Sequence, residues 1–218
     1  MSSEASGRRK AQALGGSARA ALFWSVAFTL FRDVLQFATM LVLVRLLTPD
    51  EYGRMSLAQS MHGIIYVVSF STFASHALQL RNPSDIDWDA HFTAGVITNA
   101  ILFVVVVGLA CILSTIPRYS GAALPLAVLG SLYVVDVPAT LRQRMLEAHH
   151  DWKRSRMLLM IGSALAAGSG LAIALASGGV LALAVQPTLL ILPAAVDLFL
   201  AHGWRPEWQW SWRRYRRF

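Results

Sequence analysis

Six runs of about twenty apolar residues, separated by short stretches of turn chemistry, leave this 218-residue chain few ways to fold. They lie near residues 21–46, 55–80, 91–115, 122–141, 157–176 and 180–201. A helix of about 20 residues spans a bilayer's hydrocarbon core. The breaks read as turns: Thr48-Pro49-Asp50 with Gly53, Asn82-Pro83-Ser84, Pro117 to Gly121, and Gly178-Gly179. A polar stretch from Arg142 to Arg156 separates the fourth run from the fifth. Charged residues make up 14% of the chain against about 25% in an ordinary soluble domain, too few to clothe a water-facing surface. The expected fold is all-α, an integral membrane bundle of about six transmembrane helices. The first run is too long for a cleaved signal segment, so it reads as a retained helix.

The net charge of +7 lies mostly between the runs and not along one amphipathic patch, which fits basic membrane loops better than nucleic-acid binding. With the N-terminus in the cytoplasm, fifteen of the nineteen Lys and Arg residues fall on the inner side. Arg45, Arg54 and Arg118 fall outside, and Arg32 lies within the first helix. Six spans with both termini cytoplasmic follow from that bias. The chain divides into a basic N-terminal segment (1–20), a six-helix lobe (21–203) and a basic aromatic tail (204–218). Tryptophans and arginines alternate in the tail, as in an interfacial anchor.

Four of the six helices carry polar stripes. Helix one aligns Ser25, Thr29, Arg32, Gln36 and Thr39 within an arc of about 80°, with Asp33 beside them. Charges at mid-bilayer cost about 2.5–3.5 kcal/mol on insertion scales and face a bundle interior or a watery cavity. Arg32 is thus a candidate anion site, or else part of a structural pair with Asp33 bonded to neighbouring helices. Helix two aligns Gln59, His62, Tyr66, Ser69 and His76; the histidines could carry protons or hydrogen-bond across helices. Helix four holds Tyr133, Asp136, Thr140 and Gln143, with Pro138 permitting a kink. Helix six aligns Gln186, Pro193 and Asp197. Asp136 and Asp197 are candidate ion-coupling sites, or partners for arginines. Helices three and five lack a stripe, although Gly162, Ala166 and Gly170 in helix five suit close packing. Cys111, alone of its kind, reads as a packing residue.

Other signals are weak. Asp85, Asp87 and Asp89 lack the glycine and glutamate of a calcium loop, and Asp89 is placed to help start helix three. His149-His150-Asp151 has no second ligand cluster and reads as a solvated loop. No metal site, phosphate loop or dinucleotide fingerprint is expected, and no cofactor.

Four segments carry a resemblance. Arg45-Leu46-Leu47-Thr48-Pro49-Asp50-Glu51-Tyr52-Gly53 resembles the Arg-x-Leu-(Ser/Thr)-Pro-x-(Asp/Glu)-Tyr-Gly signature of polysaccharide biosynthesis flippases, in the multidrug/oligosaccharidyl-lipid/polysaccharide exporter superfamily. Trp204-Arg205-Pro206 is similar to a motif at the same place in those proteins. Gly179 to Leu183 resembles their Gly-x-Trp-Ala-Leu start of helix six, with Leu181 for the Trp, and the basic stretch 142–156 is also similar. The resemblance covers about residues 20–212, one lobe of a two-lobe flippase. It implies translocation of a lipid-linked, undecaprenyl-pyrophosphate type oligosaccharide across a bacterial inner membrane, by alternating access and often with an ion gradient. Implied partners are that lipid, membrane lipids, a polysaccharide polymerase, and a second lobe supplied by a homodimer or a C-terminal half; no nucleic acid is implied. Arg32 is the residue matched to the pyrophosphate. Arg32, Gln36, Asp33, Thr29, His62 and Gln59 form the expected substrate site, with Asp136 and Asp197 for ion coupling. Two alternatives stay open: a membrane glycosyl- or acyltransferase using the acidic triplet 85–89, and a structural subunit of an envelope-polysaccharide complex.

Overall fold

A computed structural model describes residues 2–69, 87–177, 179–201 and 205–208, with side chains from residue 22 on except 177 and 201. The described residues are helical: α1 (Ser2–Leu46), α2 (Pro49–Tyr66), α3 (Trp88–Thr115), α4 (Ser120–Ala148), α5 (Trp152–Ser177), α6 (Leu181–Ala184) and α7 (Gln186–Ala201). Among the described residues, five spans are long and apolar enough to cross a membrane: Leu22–Leu46, Trp88–Thr115, Ser120–Ala148, Trp152–Ala176 and, across a short break, Leu181–Leu200. The expected second span is described only in its first part, as α2; residues 70–80 lie outside the described residues.

Proline and capping chemistry set the helix ends. Thr48 precedes Pro49 and is extended (φ −80°, ψ 156°), as a residue before proline prefers. Its hydroxyl accepts from the Glu51 amide, and the Glu51 carboxylate accepts from the Thr48 amide at 2.7 Å. With Pro49 in the first turn this is a capping box. The Thr-Pro-x-Glu core of the signature at 45–53 is therefore a helix start. Ile116, before Pro117, closes α3 in the same extended manner.

The basic stretch 142–156, expected as a loop, is largely helical. Helix α4 continues to Ala148 and α5 begins at Trp152. The reversal between them is tight: the Asp151 amide donates to the Leu146 carbonyl (2.8 Å) and His150 to Glu147 (3.0 Å). These are the two bonds of a Schellman turn, with His150 at φ 58° where glycine is usual. Asp87, not Asp89, caps α3, accepting from the Ala90 amide at 3.0 Å. Asp89 sits in the first turn and accepts from the Glu207 amide, which ties the tail to the start of α3. Cys111 is exposed, not packed. The sixth apolar run breaks at Val185, because Pro187 has no amide to offer Leu183; the Gln186 side chain instead donates to the Ala182 carbonyl at 2.8 Å.

The helices run alternately up and down. At one end the first turn of α2 meets α4, with Arg54 against Gly121, and the start of α6, with Glu51 beside Gly179. At the other end Lys153 lies over Trp24 (5.7 Å), and Asp197 binds Arg142 and Arg154. Helix α4 packs against α2, α3 and α7, α7 against α5, and α5 against α1. The main core gathers Met55 and Ala58 of α2, Val106 and Ala110 of α3, and Leu126, Leu129 and Tyr133 of α4. Helix α1 holds to the bundle chiefly through α5. Beyond the end shared with Tyr52, where Leu43 and Leu47 pack with Ala174 and Ala182, it diverges from α2.

The small residues of α5 make the close approach expected of them. A Cβ on Gly162 would overlap the Leu190 backbone carbonyl of α7, and one on Gly170 would press on the Ala182 carbonyl of α6 at 2.9 Å. Backbone cannot step aside as a flexible side chain can. Gly162→Ala is therefore expected to push α5 off α7 and cost about 1–3 kcal/mol, the usual penalty of overpacking. Thermal unfolding in mild detergent checks this; a melting temperature unchanged from the parent would contradict that tight α5–α7 contact.

Candidate functional site

The divergence of α1 from α2 leaves an open cleft of about 570 Å3, floored by α5, α6 and α7. Its α1 wall is the polar stripe: Arg32, Gln36 and Thr39, interleaved with Leu35, Met40 and Leu43. Helix α2 contributes Tyr52 and Gln59; the floor carries Ser163, Ala166 and Ala167 of α5, then Leu183, Gln186, Pro187 and Leu190. One cavity thus joins a guanidinium, three amide side chains, hydroxyls and an apolar floor.

Arg32 donates through Nε and Nη2 to one oxygen of Asp33, at 3.0 and 2.9 Å, and lies 5.7 Å from the Phe28 ring. The two side chains are 45% and 55% exposed. Among the described residues the pair is bonded within α1 and not to neighbouring helices, which is the looser of the arrangements open to it. Two charges facing hydrocarbon at that depth would each cost several kcal/mol, so this face of α1 looks onto water or a polar partner. Thr29 lies a turn away from the cleft lining, its hydroxyl donating to the Ser25 carbonyl at 2.9 Å.

The remaining expected site residues divide between two other places. His62 sits one turn beyond Gln59 but turns inward, 5.4 Å from the Tyr66 ring and 5.3 Å from Tyr133. Beside it, Asp136 accepts from Tyr66 (3.1 Å), Thr140 (3.2 Å) and Asn99 (3.0 Å). This polar nest lies between α2, α3 and α4, behind the cleft wall. Asp197 stands apart at the basic end of the bundle. One oxygen accepts from Arg142 at 2.6 Å and the other from Arg154 at 2.7 Å. The alternative of an arginine partner is the geometry that Asp197 takes. His76 lies outside the described residues, as does Asp85.

Three contributors escaped the stripe reading. Asn99 is the one side-chain amide of α3; it is 1% exposed and bridges Asp136 to the Tyr133 carbonyl. Tyr52 belongs to the quoted signature but lies before the stripe of helix two. Ser163 is flanked by small apolar residues and shows no periodic partner.

Against known proteins, a family model described as "polysaccharide biosynthesis protein" matches residues 42–218. Neither curated proteins nor solved structures gave a match.

Proposed function

We propose that this chain, which belongs to the polysaccharide biosynthesis protein family, carries a lipid-linked oligosaccharide of the undecaprenyl-pyrophosphate type across the membrane. The observation that carries the reading is the cleft itself: an open, membrane-embedded groove in which one unburied guanidinium faces amide and hydroxyl groups. Arg32 suits a pyrophosphate, since a guanidinium offers a planar fork of donors to anionic oxygens. Gln36, Gln59, Gln186, Tyr52 and Ser163 can both donate to and accept from sugar hydroxyls. Leu35, Met40, Pro187 and Leu190 give a lipid chain an apolar track. The volume matches the range of small-ligand sites, about 300–1,000 Å3, enough for the charged head and its first sugars.

The half-exposed Arg32–Asp33 pair supports a second lobe closing over the cleft, from another copy or from a C-terminal half. The two lobes would rock about the bound head. In this reading the end carrying Arg142, Arg144, Lys153, Arg154, Arg156 and Arg205 faces the cytoplasm of a bacterial cell, with both termini on that side of the inner membrane; the excess of Lys and Arg there supports that orientation. The transferase alternative draws no support from Asp87 and Asp89, since one caps α3 and the other holds the tail.

Lipid-linked glycan on each membrane face, with and without the chain, tests the proposal. The glycan is expected to accumulate on the cytoplasmic face without it and to redistribute when it is restored. An unchanged distribution would refute transport by this chain.

A further inference from the structure

Behind the cleft wall, two polar atoms are sealed from solvent with no hydrogen-bond partner: the His62 Nε2 and the Tyr133 hydroxyl. Both residues are more than nine-tenths buried, at 8% and 1% exposure. An unsatisfied buried polar atom is unfavourable and calls for an explanation, often an ion or water that completes it. Three features of the nest narrow the guest. The His62 ring lies against two aromatic faces, stacked with Tyr66 at 24° and tilted to Tyr133 at 48°. Aromatic faces attract cations. Three donors converge on Asp136, the surroundings of an acceptor-only carboxylate. Tyr66 joins the two halves, since it stacks on His62 and donates to Asp136.

We propose that His62 is a buried proton-binding site, whose imidazolium is held between Tyr66 and Tyr133 and offset by the Asp136 carboxylate. A proton drawn from water adds to the free lone pair of the ring; no other bond changes. An alkali cation suits the nest less well, because hard cations take oxygen ligands and the open atom on the histidine is a nitrogen. Among the described residues, the titratable side chains against the ring are Tyr66 on α2 and Tyr133 on α4; Asp136 on α4 is reached through the Tyr66 hydroxyl, and α3 brings the neutral Asn99 to that carboxylate. Gln59, one turn from His62, lines the cleft, so a charge gained at His62 lies next to the wall.

The test is nitrogen NMR of the full chain, labelled at histidine with nitrogen-15 and held in lipid nanodiscs, between about pH 5 and 8. The signal lost in H62Q is that of His62. It is expected to move from neutral to imidazolium positions across the range. D136N should lower the midpoint by about one pH unit, a tenfold loss of proton affinity. Y133F, which removes only the unpartnered hydroxyl, should lower it by a smaller step, and it keeps the test decisive if D136N does not fold. A His62 signal constant over the range would overturn the proposal. So would a titration untouched by both variants, or signals that respond to sodium in place of potassium at fixed pH. Proton uptake is read on the protein alone, so its failure leaves the transport reading standing, and failure of transport leaves proton binding standing.

Discussion

Arg32→Ala should abolish glycan translocation while leaving the chain in the membrane at its normal level. The side chain makes its bonds within its own helix and supports no neighbouring element. Its loss therefore removes a binding group without removing packing. A hydrogen bond to a charged group is worth about 1.5–3 kcal/mol, which is roughly tenfold to a hundredfold in affinity. Arg32→Lys should retain part of the activity, since it keeps the charge and loses the planar fork. The paired measurements are membrane abundance and the ratio of lipid-linked glycan on the two faces. Full transport by the alanine variant would remove Arg32 from the mechanism.

The largest expected loss of stability follows Asp197→Ala. Arg142 is 4% exposed along its side chain and Asp197 is 11% exposed. Removing the carboxylate strands one guanidinium in the bundle and frees another near its end. Breaking a buried pair in this way costs about 3–5 kcal/mol, whereas replacing both members by apolar residues of similar volume is often neutral. The single variant should therefore unfold at a much lower temperature in detergent, and the double variant R142M/D197L should recover most of the loss. Recovered stability without recovered transport would restore the ion-coupling role considered for Asp197. Recovery of both would mark the triad as a tie between α4, α5 and α7.

The difference between the stripe of α1 and those of α2 and α4 shows where sequence reading reaches its limit. Periodicity places Arg32, Gln36 and Thr39 on one face, and the cleft lies on that face. The same periodicity places Gln59 and His62 together, yet one lines the cleft and the other enters the nest. An arc of about 100° is wide enough to touch two neighbours, and the choice between them depends on how α2 packs on α4. Partners distant in sequence are invisible for the same reason. Asp197 meets Arg142 and Arg154 only because α7 lies between α4 and α5. Asn99 had no periodic companion to point to it. The break at Val185 went unread because 180–201 is a continuous apolar run, although Pro187 carries its cause: hydropathy reports solvent and says nothing of backbone bonds.

The attachment of α1 to α5 bears on how the protein is made. Helix α1 finds its main packing partner more than a hundred residues later in the chain, and among the described residues of the helices between, none packs on it as extensively. During that interval Arg32 and Asp33 have only one another, in a helix that must wait beside the insertion machinery. Chains are synthesised at about 5–20 residues per second, so the wait lasts many seconds. Assembly then closes late: α5 gives α1 its partner, and α7, which packs on both α4 and α5, joins that pair to the rest of the lobe.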